Sequence, residues 1–408
     1  MRQVMQDPRV KAADKARLRI GRQACLVSCL PVHETVVHRV RRPNRAVANR
    51  QGLTGMTHPD PSLGQDDDSD LTLTSRKEQH LDVVLAGQAG AAVTTGLETV
   101  LFEHVALPEV SWHDVDLSTE FLGYAIDAPV MIGSMTGGPA RAGAINRTLA
   151  QVCQHLRLPL AVGSQRVMIE GGAAAGLDGA LRQLAPDIPI LANFGAAQLN
   201  RGFGRDQALR AIEAIGASAL ILHLNPLQEA VQPEGDRDWR GLAARIGALA
   251  RDLPVPVVVK EVGMGLSASV VARLAAEGVA IFDVAGAGGT DWARVEAARA
   301  PDPAAAQVAA CFAGWGIPTA EAIRAARAAA PDATIIGSGG IVTGLDAARA
   351  IRLGADMVSL AGAVLASALD GPQALERQLD IVLRQLRTAC FCTGSADLAG
   401  LRRARLRA

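Results

Sequence analysis

The chain has 408 residues and a formal net charge of zero, so no global field directs it to nucleic acid or a membrane surface, and its partners belong to local sites. Hydrophobic residues make up 49% and aromatics 3%, which suits closely packed helices on a parallel sheet and argues against an aromatic-rich β-sandwich. The six cysteines, Cys25, Cys29, Cys153, Cys311, Cys390 and Cys392, show no CxxC pair and no regular framework, as expected of a protein in a reducing cytoplasm. No uninterrupted apolar run reaches the roughly 18 residues of a membrane span. The partly apolar stretch 24–37 is broken by Pro31, His33 and Glu34, so secretion is not expected either. Cys390 and Cys392 lack a second pair or a nearby histidine, too little for a soft-metal site.

Residues 1–74 stand apart from the rest. The first fifty carry twelve Lys and Arg against three acids, and a Gly, Ser and Pro-rich stretch with Asp66, Asp67, Asp68 and Asp70 follows. This composition reads as a disordered or weakly helical extension, or as a start assigned upstream of an alternative at Met56. The folded domain is expected over 75–408. It opens on the basic cluster Ser75-Arg76-Lys77-Glu78-Gln79-His80-Leu81, after which 81–101 reads as partly helical and glycine-interrupted.

From there a theme repeats: a short apolar run, a glycine or polar rim, then an Ala-rich amphipathic helix. The runs are 129–133, 160–163, 188–193, 219–224, 255–260, 279–285, 334–337 and 357–361. Each is too short for a buried helix, and most precede residues at helical spacing, such as Ala208-Leu209-Ile212-Ile215 or Val270-Val271-Leu274. Strands alternating with helices give a parallel sheet with right-handed crossovers, and eight units close most economically into a (β/α)8 TIM barrel. Polar groups then belong at the C-terminal strand ends, where Ser134, Thr136, Ser164, Gln165, Arg166, Asn193, Lys260 and Glu261 stand.

The fourth run carries the densest chemistry. His223 and Asn225 are two residues apart and share one face of a strand, with Leu222 and Leu224 on the other. Pro226 cannot continue a central strand, so Gln228 and Glu229 are expected on the loop beyond it. Taken alone, these residues suit a buried, satisfied histidine with a solvated loop carboxylate as well as they suit the wall and rim of an active site.

Two glycine-rich turns follow the last two runs, Gly337-Ser338-Gly339-Gly340 and Ser359-Leu360-Ala361-Gly362. Glycines let backbone N–H groups approach an anion, and loops after the seventh and eighth strands of a barrel are the common phosphate site. Ala285-Gly286-Ala287-Gly288-Gly289-Thr290 adds a second open rim after the sixth run. With Asn193 and Lys260 it offers a hydroxyl, an amide and a cation, a set that suits the hydrogen-bonding edge of an isoalloxazine ring. Lys260 alone could equally pair with Glu261 or a neighbouring acid.

These motifs resemble, in order over 75–401, the type 2 isopentenyl-diphosphate isomerases. The resemblance rests on Arg76-Lys77-Glu78-Gln79-His80-Leu81, Met135-Thr136-Gly137-Gly138, Gly163-Ser164-Gln165-Arg166, Asn193-Phe194-Gly195, His223 through Glu229, Val259-Lys260-Glu261-Val262-Gly263, Asp283 through Trp292, Trp315-Gly316-Ile317-Pro318-Thr319 and Ser338-Gly339-Gly340. It implies interconversion of isopentenyl and dimethylallyl diphosphate with reduced FMN and Mg2+, NADPH or NADH serving only to reduce the flavin, in a cytoplasmic homo-oligomer of four or eight chains. It assigns FMN contacts to Ser134, Met135, Thr136, Ser164, Asn193, Lys260, Thr290, Gly339, Gly340, Ala361 and Gly362. The diphosphate falls to Arg76, Lys77, His80, Gln165, Arg166, His223 and Asn225. Gln228 faces the hydrocarbon end, Glu229 holds Mg2+, and Gln228, His223 and Lys260 form the catalytic set. Val342 departs from the polar residue expected after the glycines.

The chemistry asks for such a set. Moving a double bond by one carbon adds a proton at one end of an allylic unit and removes one at the other, so the acid must be well placed and the developing cation kept from water. Two other readings remain at this stage: an FMN-dependent oxidoreductase of the 2-hydroxyacid-oxidising kind, and a flavin- or phosphate-binding protein without turnover.

Overall fold

The structure, a computed structural model, describes residues 78–135, 140–173 and 176–407. The extension 1–74 and the site residues Arg76, Lys77 and Thr136 lie outside the described residues. A hairpin, β1 (Thr119–Phe121) and β2 (Tyr124–Ile126), precedes eight strands: β3 (Val130–Ile132), β4 (Leu160–Ala161), β5 (Ile190–Gly195), β6 (Ala219–Leu224), β7 (Val257–Glu261), β8 (Ile281–Asp283), β9 (Thr334–Ser338) and β10 (Met357–Leu360). These eight are the eight apolar runs of the sequence. Each pairs in parallel with the next, and β10 returns to β3 to close the barrel. The hairpin has no counterpart among the expected elements.

Prolines set where several strands begin. Pro129, Pro159, Pro189 and Pro256 stand immediately before β3, β4, β5 and β7. A proline has no N–H for the ladder but tolerates the strand's first position. Their carbonyls still accept, from Val358, Ile132, Leu160 and Leu220, at 2.8–3.0 Å. This explains why β5 and β7 start two residues inside the runs 188–193 and 255–260. Pro226 acts differently. Gln228 and Glu229 are not on a loop but on a short helix, Pro226–Val231, with the proline in its first turn, where a missing N–H costs nothing and the fixed φ favours the helix.

Outside the barrel, Arg205–Ile215 buries Ala208, Ala211, Ile212 and Ile215, and Ala268–Ala276 buries Val271 and Leu274 behind a Ser267 cap, as the 3.6-residue period requires. Strand residues facing these helices, such as Ile190, Leu220, Leu222, Val259 and Val358, form the outer core. The alternate residues Met131, Leu191, Ile221, Val258, Ile281, Ile336 and Met357 form a separate apolar cluster with Phe121 and Ile126 of the hairpin. The hairpin therefore plugs the N-terminal end of the barrel. Tyr124 Oη bonds Ser218 just before β6, at 3.2 Å. The opposite end stays open for chemistry.

Phe121 is 4% exposed and fills the plug. Phe121→Ala is expected to destabilise the chain by about 3–5 kcal/mol, the range for an aromatic deleted from a core, measured by urea denaturation.

Candidate active site

Two residues beyond the apolar interior layer, the same strand faces become polar. Leu191 is followed by Asn193, Ile221 by His223, Val258 by Lys260, Ile281 by Asp283, Ile336 by Ser338 and Met357 by Ser359. Asn193, His223, Lys260, Ser338 and Ser359 floor a cavity of about 510 Å3 at the C-terminal mouth of the barrel, whereas Asp283 is buried and does not border it.

On one side of the floor, Asn193 Nδ2 donates to Ser134 Oγ at 2.9 Å, and Asn193 Oδ1 meets His223 Nδ1 at 2.8 Å. With the amide oxygen turned to the ring, Nδ1 carries the proton. On the other side, Lys260 Nζ donates to the Glu261 carbonyl at 2.5 Å. Glu261 Oε2 accepts from four successive backbone N–H groups, Val262 to Gly265, an internal anion nest that shapes the loop after β7. Burial pushes its carboxyl up to about 7 against the opposing pull of those donors and of Lys260.

The walls are loops after the strands. Gly339 lies so close to Gly286 that a Cβ there would sit 2.0 Å from the Gly286 carbonyl oxygen, and both Gly339 and Gly340 have positive φ. No side chain fits between these backbones. After β10, helix Gly362–Asp370 begins with no side-chain cap, and Gly362, Ala363 and the Thr290 loop border the cavity beside it. Uncapped N–H groups at a helix start favour an anion. This corner fits the phosphate of FMN, and the floor of amide, imidazole and ammonium fits a flavin edge.

The fourth-strand helix supplies the facing wall. Asn225 Nδ2 donates to Gln228 Oε1 at 3.1 Å and to Glu229 Oε1 at 2.9 Å. Glu229 Oε2 accepts from Gln232 Nε2 at 2.7 Å and from the Asp236 N–H at 2.6 Å. The carboxylate is thus buried and oriented while still lining the cavity. Arg166 is held through Nε by Glu170 and through Nη1 by Asp236.

Of the residues singled out in the sequence, His80, Ser134, Met135, Ser164, Arg166, Asn193, His223, Asn225, Gln228, Glu229, Lys260, Thr290, Gly339, Gly340, Ala361 and Gly362 all line this one cavity. Gln165 is a correction. Its side chain is fully buried, donating to the Ala211 carbonyl at 2.9 Å and accepting from the Asn193 N–H at 3.0 Å. It braces β5 against the neighbouring helix instead of meeting a diphosphate, because the chain turns into helix Arg166–Ile169 directly after it. Glu296 was missed. On helix Trp292–Arg299 it accepts from Gln228 Nε2 at 3.0 Å and Arg299 Nη1 at 2.6 Å, and it meets His80 Nε2 at 3.0 Å. The available signal was its spacing of four from Trp292, which packs edge-on against His80. Asp236, which gathers Arg166, Arg201 and Gln198, left no local signal.

Comparisons with known proteins place this geometry. Residues 205–408 match the family model described as FMN-dependent dehydrogenase. An isopentenyl-diphosphate delta-isomerase of Stutzerimonas stutzeri is 57% identical over 339 residues, covering 83% of this chain and 98% of the relative. That of a Synechococcus strain is 50% identical over 82% of this chain and 96% of the relative. The chain belongs to the isopentenyl-diphosphate delta-isomerase family. Among solved structures, a mandelate oxidase mutant with a C4a-OH-FMN adduct superposes with a TM-score of 0.56 at 16% identity, covering 82% of this chain and 98% of that one. A lactate oxidase of Pediococcus acidilactici gives 0.55 at 18%, covering 82% and 93%. At such identity the oxidases share the barrel alone, and the isomerase family, at 50% and above, decides against the 2-hydroxyacid-oxidising reading.

Burial by itself would raise the Glu296 carboxyl, but the bonds from His80, Gln228 and Arg299 outweigh it and hold it down at about 2, below its ordinary 4.5. A depressed folded-state value contributes stability that is complete above 4.5 and is lost as pH falls towards 2. Urea denaturation is expected to show a loss of about 3 kcal/mol at most across that window, and Glu296→Gln is expected to flatten it.

Proposed function

We propose that the chain interconverts isopentenyl and dimethylallyl diphosphate with reduced FMN and Mg2+, as the activity of its family requires. The carrying observation is the polar layer of Asn193, His223 and Lys260 on the floor of a glycine-walled cavity, with Gln228 and Glu229 side by side on the wall. FMN would lie between the uncapped helix start at Gly362 and the Lys260 floor, contacted by Ser134, Met135, Thr136, Ser164, Asn193, Thr290, Gly339, Gly340 and Ala361. When bound and reduced, it supplies an electron-rich face against which an alkene can gain and lose a proton.

The chain's own residues bind and orient. Arg166 and His80, with Arg76 and Lys77, hold the diphosphate remotely, which converts binding energy into positioning at the alkene. Among the described residues no group of three or more His, Cys, Asp or Glu forms a metal cage. Glu229 would hold Mg2+ through its carboxylate, an oxygen donor that suits this hard cation. Gln228 is tied to Asn225 on one side and Glu296 on the other, so its amide is fixed towards the hydrocarbon end, where it orients the moving proton. His223 and Asn225 fix the near phosphate. Val342 is half exposed at the cavity edge, and backbone donors carry the phosphate grip there.

NADPH serves to reduce the flavin, and the barrel domain begins at about residue 75. Among the described residues no helix is long and apolar enough to cross a membrane. A cytoplasmic homo-oligomer is the proposed working form.

Anaerobic assay with reduced FMN is expected to give isomerisation without consumption of oxidant; dependence on stoichiometric oxidant would restore the dehydrogenase reading. Glu229→Gln is expected to lower kcat/KM by roughly 100-fold or more, the scale of a lost metal ligand, to abolish the response to added Mg2+ and to leave FMN bound. Lys260→Ala is expected to raise the FMN Kd about tenfold, equivalent to ~1.4 kcal/mol, in a fluorescence titration; unchanged retention would remove Lys260 from the flavin edge.

A further inference from the structure

The wall that carries Gln228 and Glu229 is braced from behind by an acid that does not itself border the cavity. Asp236 is 8% exposed and lies in the loop after helix Pro226–Val231. The loop reaches this place through Gly235. A Cβ there would sit 1.8 Å from the Glu229 carbonyl oxygen, so only glycine lets the backbone fold back against the helix. The Gly235 N–H donates to the Gln232 carbonyl at 3.2 Å, and Trp239 Nε1 donates to the Asp236 carbonyl at 2.8 Å, which holds the turn on both sides. Asp236 then directs its main chain one way and its side chain another. Its N–H donates to Glu229 Oε2 at 2.6 Å. Its Oδ2 accepts from Arg166 Nη1 at 3.1 Å and Gln198 Nε2 at 2.8 Å, and its Oδ1 from Arg201 Nη1 at 2.5 Å.

Arg166 and Glu229 both line the cavity, and Asp236 ties them to each other. A guanidinium carries its N–H donors in a planar fork. Glu170 takes Nε and Asp236 takes a proton of Nη1; among the described residues the other donors stay available to an anion. Losing an anchor would return rotamer freedom to a long side chain, and binding would have to remove it again. The single charge of Asp236 is shared between Arg166 and Arg201, whose side chain is 57% exposed and stands off the cavity. The other anchor, Glu170, is 37% exposed and screened by solvent. Arg166 is therefore oriented without being buried against a carboxylate of its own. On the far side, Glu229 Oε2 takes the Asp236 N–H while Oε1 takes Asn225 Nδ2, which fixes the plane of the carboxylate.

We propose that Asp236 is a positioning residue for the diphosphate grip: its side chain holds Arg166, its main-chain N–H holds Glu229, and it thereby sets the spacing between the two. The inference rests on a diphosphate occupying this part of the cavity, as described above. An anion that meets a guanidinium at one end and a carboxylate-held cation at the other is bound best when their separation is fixed beforehand. The planar fork of Arg166 adds an orientation that a flexible ammonium lacks. Asp236 touches no substrate in this account. Its effect passes through Arg166 and Glu229, and only the Arg166 half is removed by changing its side chain.

The test is calorimetric titration of the FMN-loaded full chain with inorganic pyrophosphate in the presence of Mg2+. Absence of binding by the wild type would overturn the diphosphate reading itself. Given binding, Asp236→Asn is expected to raise the pyrophosphate Kd about tenfold, the order of a coupling within one salt-bridge network, and to leave the FMN Kd unchanged. Asparagine keeps one acceptor oxygen where Arg166, Gln198 and Arg201 share two. In an Arg166→Met background the same substitution is expected to cost nothing further, because a residue that acts through Arg166 loses its effect with it. An unchanged Kd in the single variant, an equal loss in both backgrounds, or a parallel loss of FMN affinity would each overturn the inference. Should Asp236→Asn not fold, Arg166→Lys provides the second arm, since it keeps the charge but cannot hold both anchors. A pyrophosphate Kd about tenfold higher is expected there too. A Kd equal to the wild type's would show that charge alone suffices and overturn the inference.

Discussion

A side chain that points into a barrel at one residue points into it again two residues later, and the interior must decide what to do with both. Here the lower layer, from Met131 round to Met357, is apolar and sealed by Phe121 of the hairpin. The upper layer is Asn193, His223, Lys260, Asp283, Ser338 and Ser359. The apolar layer supplies the cohesion and excludes water from beneath. The polar layer is buried where its members find partners, as Asn193 does in Ser134 and His223, and Asp283 in Ser338. Stability and chemistry share the same strands, separated by one step of the pleat.

The walls follow a second constraint, the close approach of backbones. The loop holding Gly286 and the turn at Gly339 meet without room for a side chain, which leaves their N–H and C=O groups near the cavity. The wall after β6 works oppositely. There Asn225, Gln228, Glu229 and Gln232 are bonded to one another, and Glu296 ties Gln228 to His80 and Arg299. One wall presents backbone suited to a phosphate, the other presents oriented side chains. The likeness to the oxidases at 16–18% identity extends to the barrel alone, and a shared barrel does not fix the reaction.

The sequence by itself determined the barrel. Eight runs with a two-residue period, several opened by a proline and followed by helical spacing, leave little else for a parallel sheet of eight to do. It also pointed to many of the residues that border the cavity, because the C-terminal ends of barrel strands gather at the mouth. The tertiary structure alone decided what those residues touch. Gln165 stands beside Ser164 and Arg166 in the chain, yet at the start of helix Arg166–Ile169 its side chain turns to the Ala211 carbonyl and the Asn193 N–H. Gln228 and Glu229 sit on a helix because Pro226 serves as well at a helix start as at a strand's end. Glu296 and Asp236 meet their partners from 68 and 70 residues away in sequence, a separation that no local pattern records. The pairing of Lys260 with Asp283 needs the register of two strands, and register exists only once the barrel has closed.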